Sequence, residues 1–273
     1  MNNWTIGTDC SHWSGDINFS TMYDAGAKFF ITKATDAYSV TGKQFEDSRF
    51  QEYCEDVFAL GKLLTGCYHW LQASVDPTIA ADFYLERYQR FDFDFPPILD
   101  FEEVSVRNTG LFSDYAWRAQ TWCKRVEEVT GRKPIIYTAK WYTYYFTEKQ
   151  IGWMGDYPLW VADYTWWANN VTKAPYYMPP FWDDWTMWQY SADGNSRGEE
   201  FGVQAASIDL NYYQGDYAQL LDWLMVDDLP DPPLTVEQRL DRLEEEVFGN
   251  DRETRILFKD WDTPEEDEAW SDL

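Results

Sequence analysis

The residues with the most evident chemical potential are carboxylates. In PPILDFEE, Asp100 and Glu102 stand two apart at the end of an apolar, strand-like run. Successive strand side chains alternate between faces, so both carboxylates point one way and Glu103 the other. Two carboxylates sharing a site push their pKa values apart and leave one protonated near neutrality, as a general acid and its ionised partner require. Asp9 closes TIGTD and Asp209 lies in SIDLN, each again in a strand-like run. Taken singly, an Asp after a strand commonly caps a helix or a turn instead. Four acids converging on one pocket, with only two histidines in the chain, favour glycoside chemistry, with no metal and no other cofactor.

Composition agrees with that chemistry and excludes others. Aromatics make up 19% of the 273 residues, including 16 Trp and 19 Tyr, more than packing alone requires. Flat aromatic faces over a groove of carboxylates suit sugar rings, although a protein-partner surface would use them too. Lys and Arg number 22 against 48 Asp and Glu, and a net charge of −26 repels phosphate backbones and anionic lipid. Nucleic acid is therefore not expected as a partner, and without a run of 18 apolar residues neither is membrane insertion. The opening MNNWTIGTDCSHW lacks a basic segment followed by an apolar stretch, so no signal peptide is expected. Cys10, Cys54, Cys67 and Cys123 have neither Cys-x-x-Cys spacing nor disulfide-scaffold density, and read as four buried free thiols.

The elements that must position the acids follow from periodicity. Strand-like runs occur at 5–9, 29–33, 63–70, 96–101 and 134–138, with helical spacing at 18–27, 44–60, 76–90 and 113–130. Ser113 with Asp114, and Gly131, supply start and stop signals for the last helix. Strands at 159–164, 187–191 and 206–213 follow, joined by Trp-, Asn- and Pro-rich loops. The expected fold is α/β: an irregular β/α barrel of five β/α units followed by three further strands. A doubly wound sheet competes, but no Gly-rich phosphate loop follows the first strand.

The barrel is expected to fill 1–226. DDLPDPPL at 227–234 has three Pro and three Asp and reads as a stiff linker. In 235–248, Val236, Leu240, Leu243 and Val247 follow coiled-coil spacing; this short amphipathic helix would either form a homo-oligomer or pack back on the barrel. Residues 249–273 form an acidic tail. Residues 227–273 carry 5 basic against 17 acidic residues, so the charge is concentrated there.

Several ordered motifs resemble one family, the glycoside hydrolase family 25 lysozymes known from bacteriophage endolysins and from bacterial and fungal muramidases. The motifs are Asp9-Cys10-Ser11-His12-Trp13 with Gly15; Lys33-Ala34-Thr35; Gly66-Cys67-Tyr68-His69-Trp70; and Leu99-Asp100-Phe101-Glu102. They continue with Leu159-Trp160-Val161-Ala162 and Tyr164, Trp188-Gln189-Tyr190, and Ile208-Asp209-Leu210-Asn211. The resemblance implies hydrolysis of the β-1,4 bond between N-acetylmuramic acid and N-acetylglucosamine in peptidoglycan. Glu102 matches the family's general acid/base and Asp9, Asp100 and Asp209 its other acids; the nucleophile, an aspartate or the substrate's acetamido group, stays open. Tyr68, Tyr137, Trp160 and Trp188 fall where the family lines its groove, and Lys33 joins them as a substrate contact. Barrel filling is the alternative for Tyr137 and Trp188. His69 reads as a hydrogen-bonded barrel residue and His12 as a cap of the first loop.

The chain departs from the family at Asp36-Ala37, where Glu-Gly is usual, and it lacks the family's wall-binding repeats. With no signal peptide expected, the chain is expected to reside in the cytoplasm of the producing cell, whether or not that cell is phage-infected, until release onto the wall. Two rival functions remain on the same barrel: a non-catalytic glycan-binding or phage structural protein, and a hydrolase of another acetamido-glycan such as chitin.

Overall fold

The computed structural model describes residues 3–103, 105–106, 110–164 and 174–226. The chain divides into two units, Met1–Pro230 and Asp231–Leu273. The linker 227–234, helix 235–248 and tail 249–273 expected from sequence lie outside the described residues.

The described residues form nine strands: β1 Thr5–Cys10, β2 Phe29–Ala37, β3 Gln44–Glu46, β4 Leu64–Trp70, β5 Ile98–Asp100, β6 Ile135–Thr138, β7 Leu159–Ala162, β8 Met187–Ser191 and β9 Asp209–Tyr213. The helices are α1 Phe19–Asp24, α2 Phe50–Leu60, α3 Pro77–Tyr88, α4 Phe112–Thr130, α5 Lys140–Thr143, α6 Glu148–Ile151 and α7 Tyr217–Leu224. Eight strands close a barrel, because β1 pairs with both β2 and β9. Pairing is parallel from β1 round to β8, and β9 runs antiparallel to both its neighbours. Five β/α units and three further strands are thus present. Among the described residues no helix is long and apolar enough to cross a membrane.

Two element boundaries differ from those expected. Residues 44–46 do not begin a helix; they pair antiparallel with Thr35–Ala37 and lengthen β2 at the rim, with Phe45 packed on Tyr38 at 4.8 Å. Helix α4 starts after Leu111, without a side-chain cap, so Ser113 and Asp114 lie inside its first turn. Its end is as expected, with Gly131 at φ 69°, the left-handed conformation glycine adopts without penalty. Elsewhere caps agree with sequence chemistry: Asp76 accepts from the Thr78 and Ile79 amides ahead of Pro77 in α3, and Asp216 and Gln219 form a capping box on α7.

The barrel interior alternates in step with its strands. Phe29, Ile31, Leu64, Ile98, Ile135, Met187 and Tyr213 fill the lower part, where Leu220 and Leu224 of α7 join them. A Cβ on Gly7 would lie 2.3 Å from the Phe29 ring, so that ring occupies the space a β1 side chain would take. Outside, α3 and α4 cover Cys67, Leu99 and Ile136, while α1 and α2 cover Phe30. Among the described residues no helix covers β7 and β8; Trp4, Trp185 and Trp188 form the layer there, with the Trp4 and Trp185 rings 5.0 Å apart. All four cysteines are buried and free.

Candidate active site

At the C-terminal ends of the parallel strands the same alternation turns polar. Asp9 from β1, Asp100 ending β5 and Glu102 two residues on line one cleft of about 140 Å³. Asp209 completes the set from an unexpected direction: it opens β9 rather than ending it, and the reversed strand brings its first residue to the same rim. Asp209 is the register partner of Asp9. β-bulges on β2 between Lys33 and Thr35 and on β8 between Gln189 and Ser191 lie at this rim as well, where extra residues re-aim side chains.

Asp9 is the best anchored of the four. Its Oδ1 accepts from Gln189 Nε2 and from Asn211 Nδ2, each at 2.8 Å. The Asn211 amide has only one workable orientation, since its Oδ1 accepts from Trp160 Nε1 at 2.9 Å and an indole N–H can only donate. Gln189 Oε1 accepts from the hydroxyls of Tyr137, at 2.7 Å, and Tyr164. Aromatic walls of the cleft therefore orient the amides that orient Asp9.

All four acids hold their protons more tightly than free carboxyls do. Burial first, then the Asp9 charge, pushes Glu102 up to about 7. Burial raises Asp209 to about 9, helped by Asp9, to which its carboxyl donates a hydrogen bond. Asp9 itself rises to about 6 through burial, restrained by the donors from Asn211 and Gln189. Asp100 is raised well above the usual range by burial and by Glu102, and its Oδ1 is buried with no partner among the described residues. Such a cluster stays partly protonated at neutral pH and can both donate and accept a proton.

Lys33 tempers the negative charge. Its Nζ pairs with Asp36 Oδ2 at 2.5 Å, lies 4.9 Å from the Trp70 ring centroid, and draws the pKa values of Asp100 and Glu102 downward. It stands beside the cleft lining rather than in it. The shorter acid at position 36 is held in turn by Gln72 Nε2 at 3.0 Å and its neighbour's amide. Tyr68, Tyr137 and Trp160 face the cleft. Trp188 does not: it is fully buried on the outer side of β8, where its Nε1 donates to the Asp163 carbonyl. It fills the Trp layer over β7 and β8, a one-residue error of strand phase, since its neighbour Gln189 points inward.

Trp70, Tyr164 and Gln189 also line the cleft. Period two was the signal for each: Trp70 follows Tyr68, Tyr164 follows Trp160 by four, and Gln189 follows the inward Met187. The histidines do other work. His69 sits outside the barrel, stacked on Trp122 at 5.6 Å, with Nδ1 2.8 Å from Thr35 Oγ1, and burial pushes its pKa down to about 3. His12 Nδ1 lies 2.6 Å from Asp47 Oδ2 in the loop after β1. Among the described residues no three His, Cys, Asp or Glu side chains are grouped as a metal ion needs.

The chain is similar in sequence and fold to known proteins. The family model "Glycosyl hydrolases family 25" matches residues 8–199. The chain is similar to Lysozyme M1 of Streptomyces globisporus, at 29% identity over 79% of this chain and 69% of that one. It is also 29% identical to the N,O-diacetylmuramidase of a Chalaropsis species, over 74% of this chain and 95% of that one. Among solved structures, the bacterial lysozyme from Streptomyces coelicolor superposes with a TM-score of 0.63 at 26% identity, covering 82% of this chain and 97% of that one. With its barrel, its rim of four acids and a family match over most of the barrel, the chain belongs to glycosyl hydrolases family 25.

Proposed function

We propose that the chain is a muramidase that hydrolyses the β-1,4 bond between N-acetylmuramic acid and N-acetylglucosamine in peptidoglycan, with Glu102 as proton donor. The observation that carries this reading is the convergence of Asp9, Asp100, Glu102 and Asp209 on one rim of a family 25 barrel. The activity of lysozyme and muramidase relatives supports the substrate class.

Glu102, with a carboxyl raised to about 7, still carries a proton at neutral pH and delivers it to the leaving oxygen. Asp9, fixed by two amide donors, supplies negative charge opposite the positive charge that develops at the anomeric centre. The unpartnered Asp100 Oδ1 is placed to accept from the N–H of an acetamido group. Tyr68, Trp70, Tyr137 and Trp160 offer aromatic walls to the sugar. The test is digestion of purified peptidoglycan with mass spectrometry of the soluble products. Muropeptides ending in reducing N-acetylmuramic acid support the reading; new N-acetylglucosamine ends or free amines replace it with a glucosaminidase, amidase or peptidase.

A further inference from the structure

A second groove lies beyond Tyr164, which forms a wall of both. Its volume is about 370 Å³, against about 140 Å³ for the cleft. It is built from α5 and the residues after it (Lys140, Trp141, Tyr144), from the end of β7 (Ala162, Asp163) and from Tyr177. Its aromatic side chains are turned outward: Trp141 is 47%, Tyr144 80% and Tyr177 43% exposed. The wall is fixed in place, since Asp163 Oδ2 accepts from the amides of Tyr176 at 2.7 Å and Tyr177 at 2.9 Å.

The two depressions differ in chemistry. The catalytic cleft is rich in carboxylate groups that satisfy sugar hydroxyls, whereas the groove presents chiefly aromatic faces and the Ala162 methyl, with one ammonium, the tyrosine hydroxyls and the Asp163 carboxylate, whose Oδ2 is already taken by two backbone amides. A sugar ring placed there would leave several hydroxyls short of partners, which is costly when water is displaced. The Lys140 ammonium lies 5.5 Å from the Tyr177 ring centroid and makes no ion pair among the described residues. On a chain of net charge −26, it is a local attractor for an anion.

We infer that this groove binds the stem peptide carried by the muramyl residue, its alkyl side chains against Trp141, Tyr144 and Tyr177 and a carboxylate on Lys140. The inference rests on the muramidase reading, because only a muramyl sugar held in the cleft presents a peptide one side chain away, across Tyr164. The groove then selects strands that bear stems over bare glycan.

The experiment compares kcat/KM on peptidoglycan glycan strands with intact stems and on the same strands stripped of stems by an amidase, scoring new reducing ends. Wild type is expected to favour stem-bearing strands about tenfold. Lys140→Ala and Trp141→Ala, each checked for an unchanged melting curve, are expected to bring that ratio close to one, and Lys140→Glu to push it below one. Wild-type activity without preference overturns the inference and leaves the muramidase reading standing. An equal loss on both substrates in the variants overturns it in favour of a saccharide subsite. Failure of the wild type to cleave either substrate overturns both readings.

Discussion

Glu102 is where a single proton decides the rate. Glu102→Gln keeps the shape and loses the acid, so turnover on peptidoglycan is expected to fall by roughly 10²–10⁴ or more while the fold persists. The wild-type rate should decline as pH rises through about 7, where that proton leaves. Stability gives an independent check of the same shift. The folded carboxyl binds its proton more tightly than the unfolded one, so raising the pH from about 4 through 7 removes stability, and the Gln variant escapes that loss. Its melting temperature should match wild type near pH 4 and exceed it above pH 7; the reverse order would show that Glu102 is not strained by burial. Trp160 tests the support around Asp9. Trp160→Phe leaves Asn211 Oδ1 without its donor and the amide free to turn, so Asp9 loses a hydrogen bond that lowers its pKa. The acid limb of the pH–rate profile should move to higher pH, with about a tenfold loss in kcat/KM. An unmoved acid limb would mean that the amide is held some other way.

Strands transmit these residues to the rim, and their packing is testable at Gly7. Gly7→Ala sets a methyl against the Phe29 ring in the barrel interior and should destabilise the fold by about 1–3 kcal/mol in denaturant melts; pairing it with Phe29→Leu should recover part of that loss. Asp100 and Glu102 were legible from sequence because they stand two apart in one run; Asp9 was legible from its place closing a strand-like run, and Tyr68 only through the family motif that contains it. Trp188 was not. In MWQYS both phases open with bulky residues, Met187 and Gln189 against Trp188 and Tyr190, and only the register with β7 and β9 shows that Met187 and Gln189 face inward. The reversal of β9 was equally hidden, since SIDLNYY has the same pattern read in either direction. Gln44–Glu46 belongs to a strand because Thr35–Ala37 offers it a partner far from the local window, which periodicity cannot register.

For the molecule as a whole, the barrel and its chemistry lie at or before Val226, the last described residue. The truncated chain 1–226 is expected to fold and to keep most of its activity on soluble muropeptides; loss of folding would show that 235–248 is part of the barrel's support. Light scattering separates the two readings of that helix: a multimer for the full chain and a monomer for 1–226 marks a coiled coil, and equal states remove it. The net charge of −26 opposes approach to walls rich in teichoic and carboxylate anions, so moderate salt should raise the rate on intact cells. A monotonic fall with salt would assign approach to a local cation such as Lys140.

The reversed last strand also sets a clock. Asp209 and Asn211 reach Asp9 only when β9 docks between β1 and β8, and the Asn211–Asp9 hydrogen bond joins residues 202 apart in the chain. Contacts of such separation form late in folding, because most of the chain must be ordered before they stabilise anything. During synthesis β1 through β8 emerge first and have every neighbour they need except one. Two of the four acids' key partners are therefore missing until the barrel's final seam is sewn. A nascent or clipped chain ending before β9 has two open sheet edges and no assembled site, so the ability to cut a wall and the completion of the fold arrive together.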